Sequence, residues 1–551
     1  MCENYVEKPK RHKPLLPDNW KDEWAEWNYE PIVQDRAVRP FVLKFAWTKE
    51  VKSVKLSDSV IGQLVASSHV DPSSKLETRT HVYKDGLILY SVVLTLTDIQ
   101  RNKNSYYKMQ LLEEYYGKKY HVFTSWGRIG TQKVGSAIKT INSTEAAINY
   151  FEELYMKKTQ NRWYLNGTPL FQKKPGCYVP IEIQDIEKEN LLKKSSAPSE
   201  LPVQLQDLIK MMFDVNSMKQ TMKNFMLDLN KVTPGRLKRK QLEDANQCLA
   251  DLYRLVENGG RNADFIGLSN KFYTLIPHAF GIKNISVIDT RETIKEKSYM
   301  VESLLEIEIA HSLMNAERYD VESPLDFQYA QLMTQLAPLD RKSEEFEIIE
   351  RYLQNTHGDT HTDYRLEIQE VFHVDRFGES KRYEKWQNLS NRTLLWHGSR
   401  LTNFVGILSH GLKIAPPEAP PCGNMFGKGI YFADVVTKSA NYCNPEYPHM
   451  LINNSGLLLL CDVALGNMQP LRHAKNVTSL PNQVNSIMGL GRMFPEPHLS
   501  YTRKDGVIIP LGKTKARIHA ELYSLFYNEY VVYDESQVKI EYLLKVFFRA
   551  R

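Results

Sequence analysis

Three short segments of this 551-residue chain concentrate the side chains able to do chemistry. They are LLWHGSR (Leu394 to Arg400), GNMFGKGIYFADVVTKSANYC (Gly423 to Cys443) and YNEYVVYD (Tyr527 to Asp534). Together they supply a histidine, tyrosines, a serine, a lysine and a glutamate, set among glycines and β-branched residues. Such a set suits an enzyme that holds a flat aromatic amide and a ribose and cleaves the bond between them. Neither a metal-ligand set nor a phosphate-cradling loop accompanies it. GNMFGKG has three residues between its glycines where a P-loop has four, and Gly429 stands where a Ser or Thr should hold magnesium. HGDTH (His357 to His361) lacks the glutamate of a zinc-binding helix, and Gly358 and Asp359 disfavour a helix there. No GxGxxG follows a strand, so a dinucleotide would not bind in Rossmann fashion.

The elements that must position these residues are short strands separated by Gly/Pro turns from about Glu344 to the end: YRLEIQEVFHV, TLLWHGS, GLLLLCDVALG, DGVIIPLG and YNEYVVYD. No regular βαβ alternation appears, which predicts a mainly antiparallel sheet domain over 344–551 with a few helices. Upstream, residues 201 to about 336 carry apolar residues at three and four spacing, as in LQDLIKMMFDV, MKQTMKNFMLDL and KEKSYMVESLLEIEIAHSLMN. An all-helical bundle over about 200–336 is expected, with its methionines as core filling. A charged and then Ser/Ala/Pro-rich linker precedes it at 184–200. Residues 75–178 read as a β-rich module: LILYSVVLTLTDI and KYHVFTSWGRIGTQK are strand-like, and a capped helix opens at about Thr144. Residues 1–60 form an N-terminal tail without clean periodicity, and its run KPKRHK (Lys8 to Lys13) is either a nuclear-import or nucleic-acid patch or a solvated tail. The fold class is therefore multidomain α+β.

Composition excludes little. Hydrophobic residues make up 42% and charged residues 25%, ordinary for a soluble globular protein, and a net charge of +6 permits a local basic face without demanding one. The six cysteines have no CxxC spacing and no zinc pattern, so reduced thiols in an intracellular compartment are expected. The N-terminus shows no apolar core for a secretory signal, and LLLLCDVAL is far too short to span a bilayer.

LLWHGSR, MFGKGIYFAD, TKSANYC and YNEYVVYD resemble the catalytic core of the poly(ADP-ribose) polymerase family. SWGRIG (Ser125 to Gly130) is similar to that family's nucleic-acid-binding WGR domain, and LQDLIKMMFDV to its regulatory helical domain. The likeness covers about residues 75–551 and looks closest to the short members activated by DNA breaks, which lack zinc fingers. What it implies is specific. NAD would be the substrate, with no metal. His397 would hydrogen-bond the adenosine-side ribose. Gly398 would grip the nicotinamide carboxamide through its backbone, helped by the Ser439 hydroxyl. Tyr442 would stack on the nicotinamide ring and Tyr431 would wall the pocket. Ser399, Gly406 and Lys413 would line the adenosine end. Glu529 would bind the ribose 2′-hydroxyl and act as the catalytic carboxylate, with Lys438 beside it. Trp126 and Arg128 would contact a broken DNA end, with Lys108, Lys118, Lys119, Lys133 and Lys139 as further phosphate neutralisers. Two positions depart from the family pattern. Lys413 stands for an arginine and keeps the charge without the planar fork, and Asn424 stands for a tyrosine over the donor site.

The physics of the residues agrees with this chemistry. A planar amide needs an aromatic face and paired donor and acceptor groups. A glycine after the histidine lets backbone approach a ligand closely. A carboxylate aimed at the ribose stabilises the positive charge that builds as its glycosidic bond breaks. Taken singly, the residues admit plainer readings: Tyr431 as strand core, Glu529 as a surface-facing strand position, Trp126 as core packing. The expectation is a nuclear, DNA-break-stimulated poly-ADP-ribosyltransferase acting on itself and on chromatin and repair proteins. An auxiliary protein that completes the acceptor site is left open. A mono-ADP-ribosyltransferase, or a DNA-end scaffold with little transferase activity, is the alternative.

Overall fold

The computed structural model describes residues 69–550 apart from 87, 118, 132–133, 167–169, 182–196, 228–236, 315–322, 417–418, 421–423 and 444–453. The KPKRHK run, Lys118 and Lys133 lie outside the described residues.

The first part is an antiparallel sheet with one helix packed on it. Strands β1 (Thr80–Val82), β2 (Ser91–Asp98), β3 (Lys103–Glu114), β4 (Tyr120–Arg128), β5 (Val134–Ile141) and β6 (Val179–Ile181) run in the order β5-β4-β3-β2-β6, with β1 also on β3. Helix α1 (Thr144–Thr159) starts where Ser143 accepts from the Ala146 N–H, the cap foreseen in the sequence. Its buried residues Ala147, Phe151 and Tyr155 recur at four and pack with Leu94, Met109 and Val122 of the sheet.

Among the described residues six helices follow: α2 (Val203–Met212), α3 (Val215–Asn224), α4 (Arg239–Asn258), α5 (Asn262–Leu275), α6 (Arg291–Met314) and α7 (Pro324–Gln331). Met212, Met218, Met222 and Met300 are all buried core residues. The helical run stops at Gln331. Thr334–Pro338, read as helical from its apolar residues, is strand β7, because its backbone pairs with the edge of the next sheet.

That sheet has seven strands. It uses β7, β8 (Tyr364–Arg376), β9 (Arg392–Gly398), β11 (Ser455–Ala464), β15 (Tyr501–Thr502), β16 (Ile508–Ile509) and β20 (Val538–Ala550), ordered β15-β16-β9-β11-β20-β8-β7. β11 is buried along its whole length. Its alternate residues face two different cores, which is why its sequence is continuously apolar. Leu458 and Leu460 pack with Trp396 and with Tyr352 of helix α8 (Glu344–Asn355). Leu457 and Leu459 join one cluster with Leu304 and Ile307 of α6. The helices pack on one another through residues such as Leu208, Leu249, Phe272 and Met300, and that core runs on into the sheet.

A second sheet, β10-β19-β13-β12, stands beside the first and is built from β10 (Ile430–Phe432), β12 (Met468–Leu471), β13 (Ser486–Gly489) and β19 (Glu529–Val532). A third holds β14 (Gly491–Pro495) between β17 (Thr514–Ala516) and β18 (Leu525–Tyr527). Short helices α9 (Glu379–Tyr383), α10 (Phe404–His410) and α11 (Val436–Ala440) fill the joins.

The first sheet is sewn to the helices by hydrogen bonds. Thr95 Oγ1 donates to Thr274 O at 3.0 Å, the Ile99 N–H to Asn270 Oδ1 at 2.8 Å, and Asn104 Nδ2 to His278 O at 2.8 Å. Gly130, at φ +80°, has its Cβ position only 2.8 Å from Ala279 backbone, so no side chain fits there. Gly130→Ala is expected to cost roughly 1–2 kcal/mol for the left-handed backbone alone, and more from the collision. Hydrogen exchange should then quicken across residues 270–284; unchanged protection there would contradict this packing.

Candidate active site

The three chemistry-bearing segments meet because β9, β10 and β19 are neighbours. Trp396 and Ala433 exchange backbone hydrogen bonds at 2.9 and 3.0 Å, joining the strand that carries His397 to the end of the one that carries Tyr431. On its other side β10 pairs with β19, setting Tyr431 against Val531 and Phe432 against Tyr530, next to Glu529. Tyr431 and Tyr442 both lie within electrostatic reach of the Glu529 carboxylate.

His397 donates from Nδ1 to Tyr431 O at 2.9 Å. Burial holds its pKa below the ordinary imidazole value, so the ring is neutral at pH 7 and Nε2 is a free-standing acceptor for a hydroxyl. Tyr431 donates its hydroxyl to Gly427 O at 2.6 Å and accepts from the Phe426 N–H at 3.1 Å, fixing the glycine turn. Burial raises its pKa, and the phenol stays protonated. Gly427 itself, at φ +82°, has its Cβ position 2.2 Å from Val477 O.

Gly398 lies so close to α11 that a Cβ would stand 1.9 Å from Ser439 O. Ser439 is buried and donates its hydroxyl to Trp396 O at 3.0 Å, leaving the oxygen lone pairs to accept. Tyr442, next along the chain from the same helix, is 49% exposed and offers an open ring. Between these groups and β19 sits Lys438. Its amine is 3.0 Å from Glu529 Oε1 and donates to Tyr527 O at 2.9 Å and Asn528 O at 3.1 Å. Burial pulls the pKa of this lysine down, against the opposing pull of Glu529. Lysine and glutamate side chains are only 14% and 12% exposed, so their attraction is weakly screened.

His397, Gly398, Tyr431, Lys438, Ser439, Tyr442 and Glu529 are thus brought together on adjoining elements, which mark the candidate cleft. Ser399 follows Gly398 in the chain, and Gly406 lies under α6. Ser399 Oγ accepts from Asn403 Nδ2 at 2.9 Å. Arg400 donates to Ser303 Oγ of α6 at 2.7 Å and lies 4.9 Å over the Phe225 ring. At Gly406 a Cβ would fall 1.7 Å from Glu306 Oε2, so this helix face presses directly on the segment. Lys413 stands apart: its amine is held by Glu535 at 2.8 Å.

The HGDTH segment is also beside the cleft. His361 Nδ1 meets Thr437 Oγ1 at 2.8 Å, and the Gly358 N–H donates to the same oxygen at 2.8 Å. His361 and the Gly358 N–H thereby anchor α11, and His357 braces the turn by bonding to His361 O at 2.9 Å. Among the described residues, no group of three or more His, Cys, Asp or Glu side chains is placed to hold a metal ion, and no helix is long and apolar enough to cross a membrane.

The two residues expected at nucleic acid differ in setting. Trp126 is 39% exposed. It stacks 6.0 Å from Tyr107, which carries Lys158 Nζ 4.0 Å over its other side. Arg128 turns instead toward the helices. Its guanidinium donates to Gly281 O, to Lys283 O and to Asn102, bridging the first sheet to the helical region.

Comparison with known proteins accounts for this layout. A poly(ADP-ribose) polymerase catalytic domain profile matches residues 343–548, a poly(ADP-ribose) polymerase regulatory domain profile residues 199–329, and a WGR domain profile residues 90–168. The chain is 38% identical over 511 residues to human Poly [ADP-ribose] polymerase 2, covering 90% of this chain and 86% of that protein. It belongs to the poly(ADP-ribose) polymerase family. It is also 48% identical to the Poly [ADP-ribose] polymerase of Drosophila melanogaster (87% of this chain, 48% of that one). With chicken Poly [ADP-ribose] polymerase 1 the identity is 42%, over 96% of this chain and 52% of that one. The chain therefore spans about half the length of several curated relatives it matches.

Glu306 makes the contact between α6 and α10 sensitive to pH. Its Oε2 is buried without a hydrogen-bond partner, and burial, helped by Glu302, pushes its pKa up from 4.5 to about 8. A carboxyl that holds its proton more tightly when packed favours packing at low pH. Between about 4.5 and about 8 the undocked form binds fewer protons, so docking weakens as pH rises through that window and then levels off. Glu306→Gln is expected to remove this slope: its melting temperature should exceed that of the parent chain at pH 8 and match it at pH 5. Parallel melting profiles would contradict the assignment.

Proposed function

We propose that this chain is a nuclear NAD-dependent ADP-ribosyltransferase, stimulated by DNA breaks, that builds poly(ADP-ribose) on itself and on chromatin and repair proteins and releases nicotinamide. The observation that carries the reading is the single cleft in which a neutral imidazole, a phenol and a lysine-paired carboxylate lie on adjoining strands. In this reading Gly398 and Ser439 take the carboxamide, Tyr442 stacks on the pyridine ring and Tyr431 walls it. His397 accepts from a ribose hydroxyl through Nε2. Ser399, Gly406 and Lys413 serve the adenosine end. In the reaction the bond from ribose C1′ to nicotinamide breaks and its electron pair leaves with the base. An acceptor oxygen then bonds to C1′ and gives up its proton. Glu529 stabilises the cationic ribose and orients the 2′-hydroxyl that serves as acceptor during elongation.

The regions divide the work. Residues 75–178 would bind a broken DNA end through Trp126, with the nearby lysines neutralising phosphates. Residues 200–336 would act as a gate over the donor site, and 344–551 would hold the chemistry. Arg128 serves DNA binding less by touching phosphate than by tying the DNA-facing sheet to the gate, since its donors are already committed to Gly281, Lys283 and Asn102. DNA would favour the loosened state of the helices over the packed one.

Purified chain with labelled NAD, with and without nicked and blunt duplexes, tests this. A DNA-dependent ladder or smear of product is expected, whereas a discrete band would point to mono-ADP-ribosylation and no incorporation to a scaffold. Glu529→Gln should lower elongation by roughly 10²–10³-fold with DNA binding intact. Removal of residues 201–336 should raise turnover without DNA; unchanged basal turnover would count against the gate.

A further inference from the structure

Glu529 has Asn528 before it and Tyr530 after it. Neighbours in an extended chain point to opposite faces, so these two side chains leave the face opposite the acid. Both end on one buried group. Asp434 Oδ2 accepts from Asn528 Nδ2 at 2.7 Å and from the Tyr530 hydroxyl at 2.9 Å. Asn528 is gripped on its other end too, where Oδ1 accepts from the Gly491 N–H at 2.9 Å and from Arg517 Nη2 at 3.1 Å. Asp434 follows Tyr431 by three residues, so the same carboxylate ties the tyrosine's strand to the glutamate's.

Packing alone does not call for an acid at this place. Asp434 is 2% exposed, and its Oδ1 is buried without a hydrogen-bond partner among the described residues. A carboxylate there pays desolvation that an apolar residue of similar volume would avoid. What an apolar residue cannot do is hold the two donors that flank Glu529, at the end of β19 where the ladders stop, and so pin the backbone from which the acid projects.

We propose that Asp434 is a positioning residue: by gripping Asn528 and Tyr530 it fixes the direction in which Glu529 projects into the cleft. The inference rests on the reading of Glu529 as the acid at the reacting ribose. It makes a definite demand on mutants, because a residue that acts only through Glu529 has nothing left to do once Glu529 is disabled.

The test is a double-mutant cycle on the full chain with nicked duplex. Asp434→Ala, Asp434→Asn and Tyr530→Phe are each made alone and on a Glu529→Gln background. Nicotinamide release gives kcat and KM for NAD, benzamide affinity probes the carboxamide pocket, and a melting curve reports folding. Asp434→Ala should lower kcat roughly 10- to 100-fold, as expected for a small misplacement of a reacting group, with KM and benzamide affinity within about twofold. Asp434→Asn should rescue kcat to within about fivefold of the parent, since its oxygen can accept both bonds. Tyr530→Phe, which loses only a hydroxyl and keeps the ring, should fall between them, and it carries the test if Asp434→Ala fails to fold. On the Glu529→Gln background none of the three should reduce residual turnover by more than about twofold. Equal losses on both backgrounds, or a rise in KM at constant kcat, would overturn the positioning role. Parent-like turnover in Glu529→Gln alone would instead strike the role of Glu529 and remove this proposal with it.

Discussion

The account depends on one buried ion pair. Lys438 and Glu529 face each other at 3.0 Å where little water reaches either. A pair in that setting persists only if its remaining hydrogen-bonding capacity is met. The lysine meets it by donating to two backbone carbonyls, Tyr527 O and Asn528 O, on the chain that leads into the glutamate. The pair therefore joins α11 to β19 as well as placing an acid. Around it, the His397 bond to Tyr431 O and the Tyr431 bonds to Phe426 and Gly427 fix the other walls. Few of these groups can shift without disturbing a neighbour.

The helical region shares one core with the large sheet. Its residues Leu304 and Ile307 share a core with Leu457 and Leu459 of the large sheet. Glu306 meets Gly406 at the rim of the cleft, and Arg400 is held by Ser303. At the other end, Arg128, Asn104 and Thr95 fasten the first sheet to the loop and helix end around residues 274–283. The helical region is thus bonded to the first sheet at one end and packed against the catalytic domain at the other.

Much of this was legible in the sequence. The capped helix at Ser143 and the strand–turn–strand around Trp126 depend on near neighbours, and such local rules read well from one chain. The motifs that carry His397, Tyr431 and Glu529 stand in order along the chain, and the strands bearing them are neighbours. What the sequence hid lies in contacts between distant positions. Arg128 looked like a phosphate ligand, yet its partners Gly281 and Lys283 are 153 and 155 residues away. Asp434 grips Asn528 across 94 residues, and nothing in GIYFAD announces it. The helical reading to about residue 336 overran by a few residues, because Thr334–Pro338 pairs with β8, a partner more than thirty positions on. Lys413 pairs with Glu535, a partner more than a hundred positions downstream that local sequence does not reveal.

The central claim is that residues 394–399, 427–432 and 525–532 form one dinucleotide site. Hydrogen exchange of the full chain with nicked duplex, with and without an NAD analogue carrying benzamide in place of nicotinamide, measures it most directly. The account predicts slowed exchange in all three segments at once, saturating at a single analogue concentration. Protection confined to one segment, or placed elsewhere in the chain, would contradict it.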